Sequence, residues 1–303
     1  MGLIEWVPNF SEGRDLNKIK DIADFIREKA KVSLLGIESG EAVNRSVFTF
    51  AGEQKEILKA AKAGIIIAEK LIDMSKQKGK HFRIGALDVS PFIPLKNSSM
   101  QDAVKIAKEA AKFAGTIGIP AYLYAKAAST QERENLAFIR KGQYENLPEK
   151  LKILPPDFGP KEFNSQVKKT GAFCFGARNF LIAYNINLNT KDLETTKQIA
   201  KILRAEIPAI KTTAWFIDEY DLCQVSINIE DYKKAPILFI FNKCKQIATE
   251  FNIQAFSSEL IGFAPTDAFC QDPSNLDKII KELGLSYLKE FKKEEHLIPT
   301  EFL

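Results

Sequence analysis

An α+β fold built from two similar halves follows from three features of the chain. Apolar residues recur at helical spacing in long stretches and alternate or run together in short ones. The two kinds of stretch succeed one another in the same order twice, and consecutive extended stretches are joined by polar turns. In the first half, residues 3–8 read as a strand. The turn-rich NFSEGRD then supplies a glycine and a helix cap, and residues 16–30 place Ile19, Ile22, Phe25 and Ile26 on one helical face. Residues 32–38 and 45–51 are strands separated by the loop SGEAVN, residues 54–74 a long helix, and residues 87–95 the next strand. A helix at 100–114, a short strand at 121–124 and a helix at 131–140 extend this half.

The second half repeats the pattern. Residues 180–186 form an apolar strand and 191–205 a helix, while 212–217 and 222–229 are strands joined by the turn DEYD. A helix at 235–251, a strand at 254–260 and a short helix at 275–283 complete it. The β-α-β-β-α-β order is the split β-α-β, or ferredoxin-like, arrangement. The expected architecture is therefore α+β, with two ferredoxin-like subdomains, mixed or antiparallel sheets, and a boundary dividing residues 1–179 from 180–303. Between the halves lies PPDFGPKEFNSQVKKTGAFCFGARN, a linker by composition, whose glycine, aromatic and basic residues mark it as a ligand-binding loop.

Composition narrows the function classes. At 303 residues, 45% hydrophobic and 27% charged, the chain is that of a soluble globular protein with two cores. A net charge of +4 suits small anionic ligands and excludes a nucleic-acid binder, which needs a concentrated basic face with aromatic platforms. Cys174, Cys223, Cys244 and Cys270 form no CxxC pair, and no histidine stands at zinc-ligand spacing. Free core thiols, no metal and a reducing, cytoplasmic setting are the expectation. The start lacks the basic and apolar regions of a signal peptide, and the longest apolar run, residues 64–68, is far too short to span a bilayer.

The chemistry concentrates in KGKHFRIGALDVSPFIP, residues 78–94. His81 is one of two histidines; Lys78, Lys80 and Arg83 surround it with positive charge, an aspartate follows, and Gly79 and Gly85 are expected to let the backbone approach a ligand. An unperturbed imidazole moves protons near neutral pH, so this reads as an anion-facing loop carrying an acid/base. His296, in the charged KKEEHLIP tail, reads as an ordinary surface histidine.

Six blocks in order carry a family resemblance: VPNFSEG, NRSVFTFAG, LIDMSKQKGKHFRIGALDVSPFIP, YENLPEKL, PDFGP and GARNFLIAYNINL. With SSELIGFAP and the terminal TEFL they make the chain similar, over nearly its whole length, to glutamate formimidoyltransferases, the transferase half of formimidoyltransferase-cyclodeaminases. The resemblance implies transfer of the formimidoyl group from N-formimidoyl-L-glutamate to N5 of tetrahydrofolate, the co-substrate, giving 5-formimidoyltetrahydrofolate and L-glutamate. It also implies a homodimer of transferase halves without the helical cyclodeaminase half, which a separate cyclodeaminase would then supply. His81 falls on the family's catalytic histidine, and Phe82 stands where the family usually has proline.

Glu38, where the family usually carries aspartate, is the expected partner of the donor's amidinium. Asn44 and Arg45 follow across the loop, with Arg45 a bidentate clamp for a glutamate carboxylate. The folate contacts implied by the resemblance are Gly159, Pro160, Lys161, Glu162, Phe163, Asn164, Ser165, Gln166, Val167, Lys168, Lys169, Thr170 and Gly171, with Phe163 a stacking face and Lys168 and Lys169 charges for the glutamate tail. Two alternatives share these residues: formyl transfer between N-formylglutamate and tetrahydrofolate, including 5-formyltetrahydrofolate salvage, and a non-catalytic folate-binding protein.

Overall fold

A computed structural model describes residues 2–41, 43–79, 81–270 and 272–303. The chain forms two compact units, Met1–Arg178 with Phe302, and Asn179–Glu301 with Leu303. In the first, β1 (Leu3–Trp6) and β2 (Asn9–Phe10) are one strand interrupted before Asn9, followed by α1 (Leu16–Lys29), β3 (Ser33–Gly40), β4 (Arg45–Glu53), α2 (Gln54–Leu71) and β5 (Leu87–Pro94). Antiparallel pairing sets β1 and β2 between β4 and β5, with β3 outside β4, which is the ferredoxin-like order. α1 begins where the Asp15 side chain accepts from the amides of Asn17 and Lys18, and it buries Ile19, Ile22, Ala23 and Ile26. Phe25 of the expected face is only partly buried against this core.

After β5 come α3 (Met100–Thr116), β6 (Ala121–Ala125), α4 (Leu136–Arg140), α5 (Leu147–Ile153), α6 (Ser165–Thr170) and β7 (Phe173–Ala177). The predicted helix at 131–140 is divided, because the Asn135 side-chain Oδ1 accepts the Ala137 amide and caps a separate short helix. The segment with linker composition is part of the first unit. Its FCFGA stretch is β7, inserted parallel between β5 and β6, and its α6 buries Val167 and Thr170. An apolar strand without alternation, buried on both faces, carries no period-2 signal to separate it from a glycine-rich loop.

The helix-bearing face of this sheet carries an aromatic core, with Trp6 stacked on Phe50 at 5.4 Å and its Nε1 donating to Ser90 Oγ at 2.7 Å. At the β5-β7-β6 end of the opposite face, Ile139, Leu147, Leu151 and Val167 from the short helices pack with Val89, Tyr122 and Cys174. The second unit, β8 (Ile182–Leu188), α7 (Leu193–Glu206), β9 (Ile210–Ile217), β10 (Leu222–Ile229), α8 (Ile237–Glu250), β11 (Ala255–Ile261) and α9 (Leu276–Glu282), is antiparallel in the order β11-β8-β10-β9. Its alternation is strict: Ile182, Tyr184, Ile186 and Leu188 face the core, whereas Asn187 on the other face joins a network with Gln224 and Ser257. Among the described residues no helix is long and apolar enough to cross a membrane.

Glu5 of β1 gives the first unit a pH dependence. Its side chain is 4% exposed, and burial pushes its carboxyl up to about 7 from 4.5, with Arg178 opposing the shift. The unfolded chain therefore loses this proton near 4.5 and the folded chain only near 7, so stability falls as pH rises between these values. Glu5→Gln is expected to raise stability by up to about 3 kcal/mol at pH 8 and to leave it unchanged at pH 4, as read from denaturant midpoints.

Candidate active site

The loop between α2 and β5 is held by buried polar contacts. Asn44, at φ 49°, accepts the Gly13 amide on its Oδ1 and donates Nδ2 to the Lys78 carbonyl. Gln77 donates to the Asn44 carbonyl and accepts from Arg83 Nε at 2.8 Å. The rest of the Arg83 guanidinium grips Glu145 with bonds of 2.8 and 2.6 Å, so Arg83 clasps the loop to residue 145 and its charge is already partnered. The close approaches at Gly79 and Gly85 are to protein backbone: a Cβ at either position would fall within 2.2 Å of the Val43 or Ala172 carbonyl oxygen. Lys80 lies outside the described residues.

This clasped loop presents His81, whose Nδ1 lies 2.7 Å from the Phe82 carbonyl oxygen. A carbonyl only accepts, so Nδ1 carries the proton and Nε2 keeps its lone pair, the tautomer of a general base. Burial pushes the imidazole down to about 4, with Arg45 and Arg140 adding to the shift and the Phe82 carbonyl and Asp88 opposing it. The unperturbed value expected from the sequence is thus replaced by a base that stays neutral throughout the physiological range, and whose conjugate acid readily surrenders its proton.

Asp88 organises the cations. A register shift between Asn9 and Phe10 pairs them with Val89 and Leu87, leaving Asp88 as the extra residue of a bulge. Its Oδ1 accepts the Ile84 amide at 2.8 Å, and its Oδ2 accepts Arg45 Nη1 at 2.6 Å and Arg140 Nη1 at 3.0 Å. Burial opposes its ionisation, but the two guanidiniums outweigh that and hold the carboxyl below its usual range. One carboxylate balances two guanidiniums, leaving an excess positive charge beside a neutral imidazole, with Arg140 Nε buried and without a partner among the described residues. The cluster is suited to an anionic substrate group.

Arg45 was expected on substrate. It is buried, with Nε on Asn9 and Nη1 on Asp88. Glu38 lies across from Val47, and Gly40 across from Arg45, so Glu38 shares Arg45's sheet face. Asn44 braces the loop through both ends of its amide. Of the loop over residues 159–171, Asn164 caps α6, Gln166 donates to the Ile117 carbonyl, Val167 and Thr170 are buried, and Gly159 and Gly171 take left-handed φ of 87° and 67°. Lys161, Glu162, Ser165 and Lys168 are exposed, Phe163 packs beside Tyr144 at 6.4 Å between ring centres, and Lys169 lies 3.4 Å from Glu69. Pro160 is partly buried. Among the described residues no cluster of three metal-ligating side chains occurs. Sequence reasoning noticed the aspartate of ALDV without a role and missed Arg140, which has no local signal 52 residues away in the chain.

In the first unit, a tautomer-fixed imidazole beside bridged guanidiniums has the chemistry to exchange protons next to an anionic group. The chain belongs to the formiminotransferase family: residues 3–178 match the formiminotransferase domain's N-terminal subdomain and residues 183–302 the formiminotransferase domain. It is 41% identical to a glutamate formimidoyltransferase of Thermoplasma acidophilum over 88% of this chain and 90% of that protein. It is 42% identical, over 88% of its length, to a formimidoyltransferase-cyclodeaminase of Dictyostelium discoideum, and 37% identical over 98% to one of Mus musculus. Those matches span 51% and 59% of the bifunctional relatives.

Proposed function

We propose that this protein is a glutamate formimidoyltransferase, moving the formimidoyl group of N-formimidoyl-L-glutamate to N5 of tetrahydrofolate and releasing L-glutamate. The observation that carries the reading is His81: Nδ1–H is committed to the Phe82 carbonyl, which leaves Nε2 to take the N5 proton during attack and to return it to the departing glutamate nitrogen. The excess positive charge of Arg45 and Arg140 attracts a donor carboxylate, and Glu38 on the same sheet face holds the amidinium. Asn44 acts on substrate through the loop it braces. The relatives' names favour the formimidoyl donor over N-formylglutamate and over a non-catalytic role.

The division into an N-terminal subdomain with the folate loop, residues 1–179, and a C-terminal subdomain, residues 180–303, belongs to the same reading. So do the folate contacts of residues 159–171, a homodimeric assembly, a cytoplasmic setting consistent with four free cysteines, and delivery of product to a separate cyclodeaminase. Purified protein incubated with tetrahydrofolate and formimidoylglutamate is expected to release glutamate with a change in folate absorbance, and to do so faster than with N-formylglutamate; no release overturns the reading. Replacing Lys168 and Lys169 by alanine is expected to weaken polyglutamylated folate several-fold more than the monoglutamate, because only the longer tail reaches extra cations. Equal KM changes for both return the loop to a packing role.

A further inference from the structure

Phe82 is the most exposed phenylalanine among the described residues, 63% open to solvent, and it follows His81 directly on the clasped loop. A single exposed apolar side chain is ordinary in itself. What sets this one apart is how firmly its backbone is held beside the imidazole. The Phe82 carbonyl takes His81 Nδ1–H at 2.7 Å and lies 3.4 Å from Arg140 Nη1. At the next residue the Arg83 carbonyl accepts the Tyr144 amide at 2.9 Å, while its guanidinium bonds Gln77 and Glu145. The freedom left to Phe82 is that of its two side-chain torsions, so settling its ring on a ligand costs little conformational entropy. Phe163, the stacking face expected from the sequence, is already engaged in packing. It lies with Tyr144 against the cluster of Ile139, Leu147, Leu151 and Val167, and the Tyr144 hydroxyl donates to the Lys168 carbonyl.

We propose that Phe82 is a substrate-binding residue, whose ring stacks on the bicyclic ring of tetrahydrofolate that bears N5. The proposal rests on the formimidoyl-transfer reading, in which His81 Nε2 takes the N5 proton. That transfer needs Nε2 within about 3 Å of N5. The Cα atoms of residues 81 and 82 are about 3.8 Å apart, and paired aromatic rings lie about 4.5–7 Å between centres. A ring whose N5 is held at the imidazole is therefore within the span of a phenyl on the next residue, and at 63% exposure little packing holds that phenyl elsewhere. N5 attacks with a lone pair that projects from one face of its ring. The donor carbon occupies that face, and the phenyl covers the other. The pyrimidine part of the bicycle stays planar before, during and after transfer, so the stacking is equally strong at each stage. It tightens folate binding and leaves the chemical step unchanged.

Phe82→Ala is expected to raise KM and Kd for tetrahydrofolate by about 5- to 150-fold, the range for truncating an aromatic side chain stacked on a base. Turnover at saturation and KM for formimidoylglutamate are expected to stay within about two-fold. Phe82→Tyr keeps the ring and should bind folate as the wild type does, whereas Phe82→Leu, apolar but not aromatic, should recover only part of the loss. All three variants retain the carbonyl that fixes His81, so the acid limb of kcat/KM is expected to remain near pH 4. Because the ring and not the tail is read, mono- and polyglutamylated tetrahydrofolate should lose affinity equally, unlike in the Lys168, Lys169 variant. A wild type without transfer overturns the functional reading and this inference together. Transfer in the wild type with an unchanged folate KM in Phe82→Ala overturns this inference alone. So does a loss confined to kcat or a displaced acid limb, either of which reports a disturbed loop rather than a lost stacking face.

Discussion

His81→Ala is expected to lower kcat by about 10²–10⁴ while folate affinity changes little, since in the proposed reaction the imidazole handles protons in the transition state and is not spent on ground-state binding. The pH profile is the sharper measure. With the imidazole pushed down to about 4 by burial and by Arg45 and Arg140, kcat/KM in the wild type is expected to stay level from pH 8 to about 5 and to fall only as His81 becomes protonated near 4. An acid limb near 6.5 indicates an imidazole free of that environment. Near-normal turnover in His81→Ala removes it from the chemistry. Bound carboxylate adds negative charge beside the guanidiniums, so the acid limb of kcat is expected to lie above that of kcat/KM.

Asp88→Ala is expected to destabilise the protein by about 3–5 kcal/mol, because it leaves two neighbouring guanidiniums without their shared counter-charge. The buried Ile84 amide loses its acceptor in the same substitution. Denaturant midpoints measure this, and a double-mutant cycle identifies the cause. Arg140→Ala in the Asp88→Ala background should recover part of the loss, because it removes one of two repelling charges, whereas in the wild type it should only destabilise. Two additive losses would mean that Asp88 acts through the Ile84 amide alone. In variants that remain folded, His81 is expected to titrate lower still, since Asp88 is one of the groups holding its value up.

Local signals carried the fold a long way. Hydrophobic period and turn chemistry placed the β-α-β-β-α-β order in both halves, and the strand Leu222–Ile229 has the predicted bounds. They failed where an element has no period of its own. β7 reads as a glycine-rich linker because both its faces are buried, and the helix expected at 131–140 divides at Asn135, whose side chain satisfies a backbone donor that a continuous helix would have paired with a carbonyl.

By itself the sequence determined the family, the paired split β-α-β plan and the histidine proposed for the chemistry, because these are written in contiguous blocks and local spacings. Only the tertiary structure decided what that histidine is. Its tautomer comes from a carbonyl one residue away, but its depressed basicity comes first from burial and then from Arg45 and Arg140, which Asp88 bridges across 43 and 52 residues of chain. Electrostatics and desolvation depend on distance in space, and a β-bulge at Asp88 and a short helix ending in Arg140 set those distances.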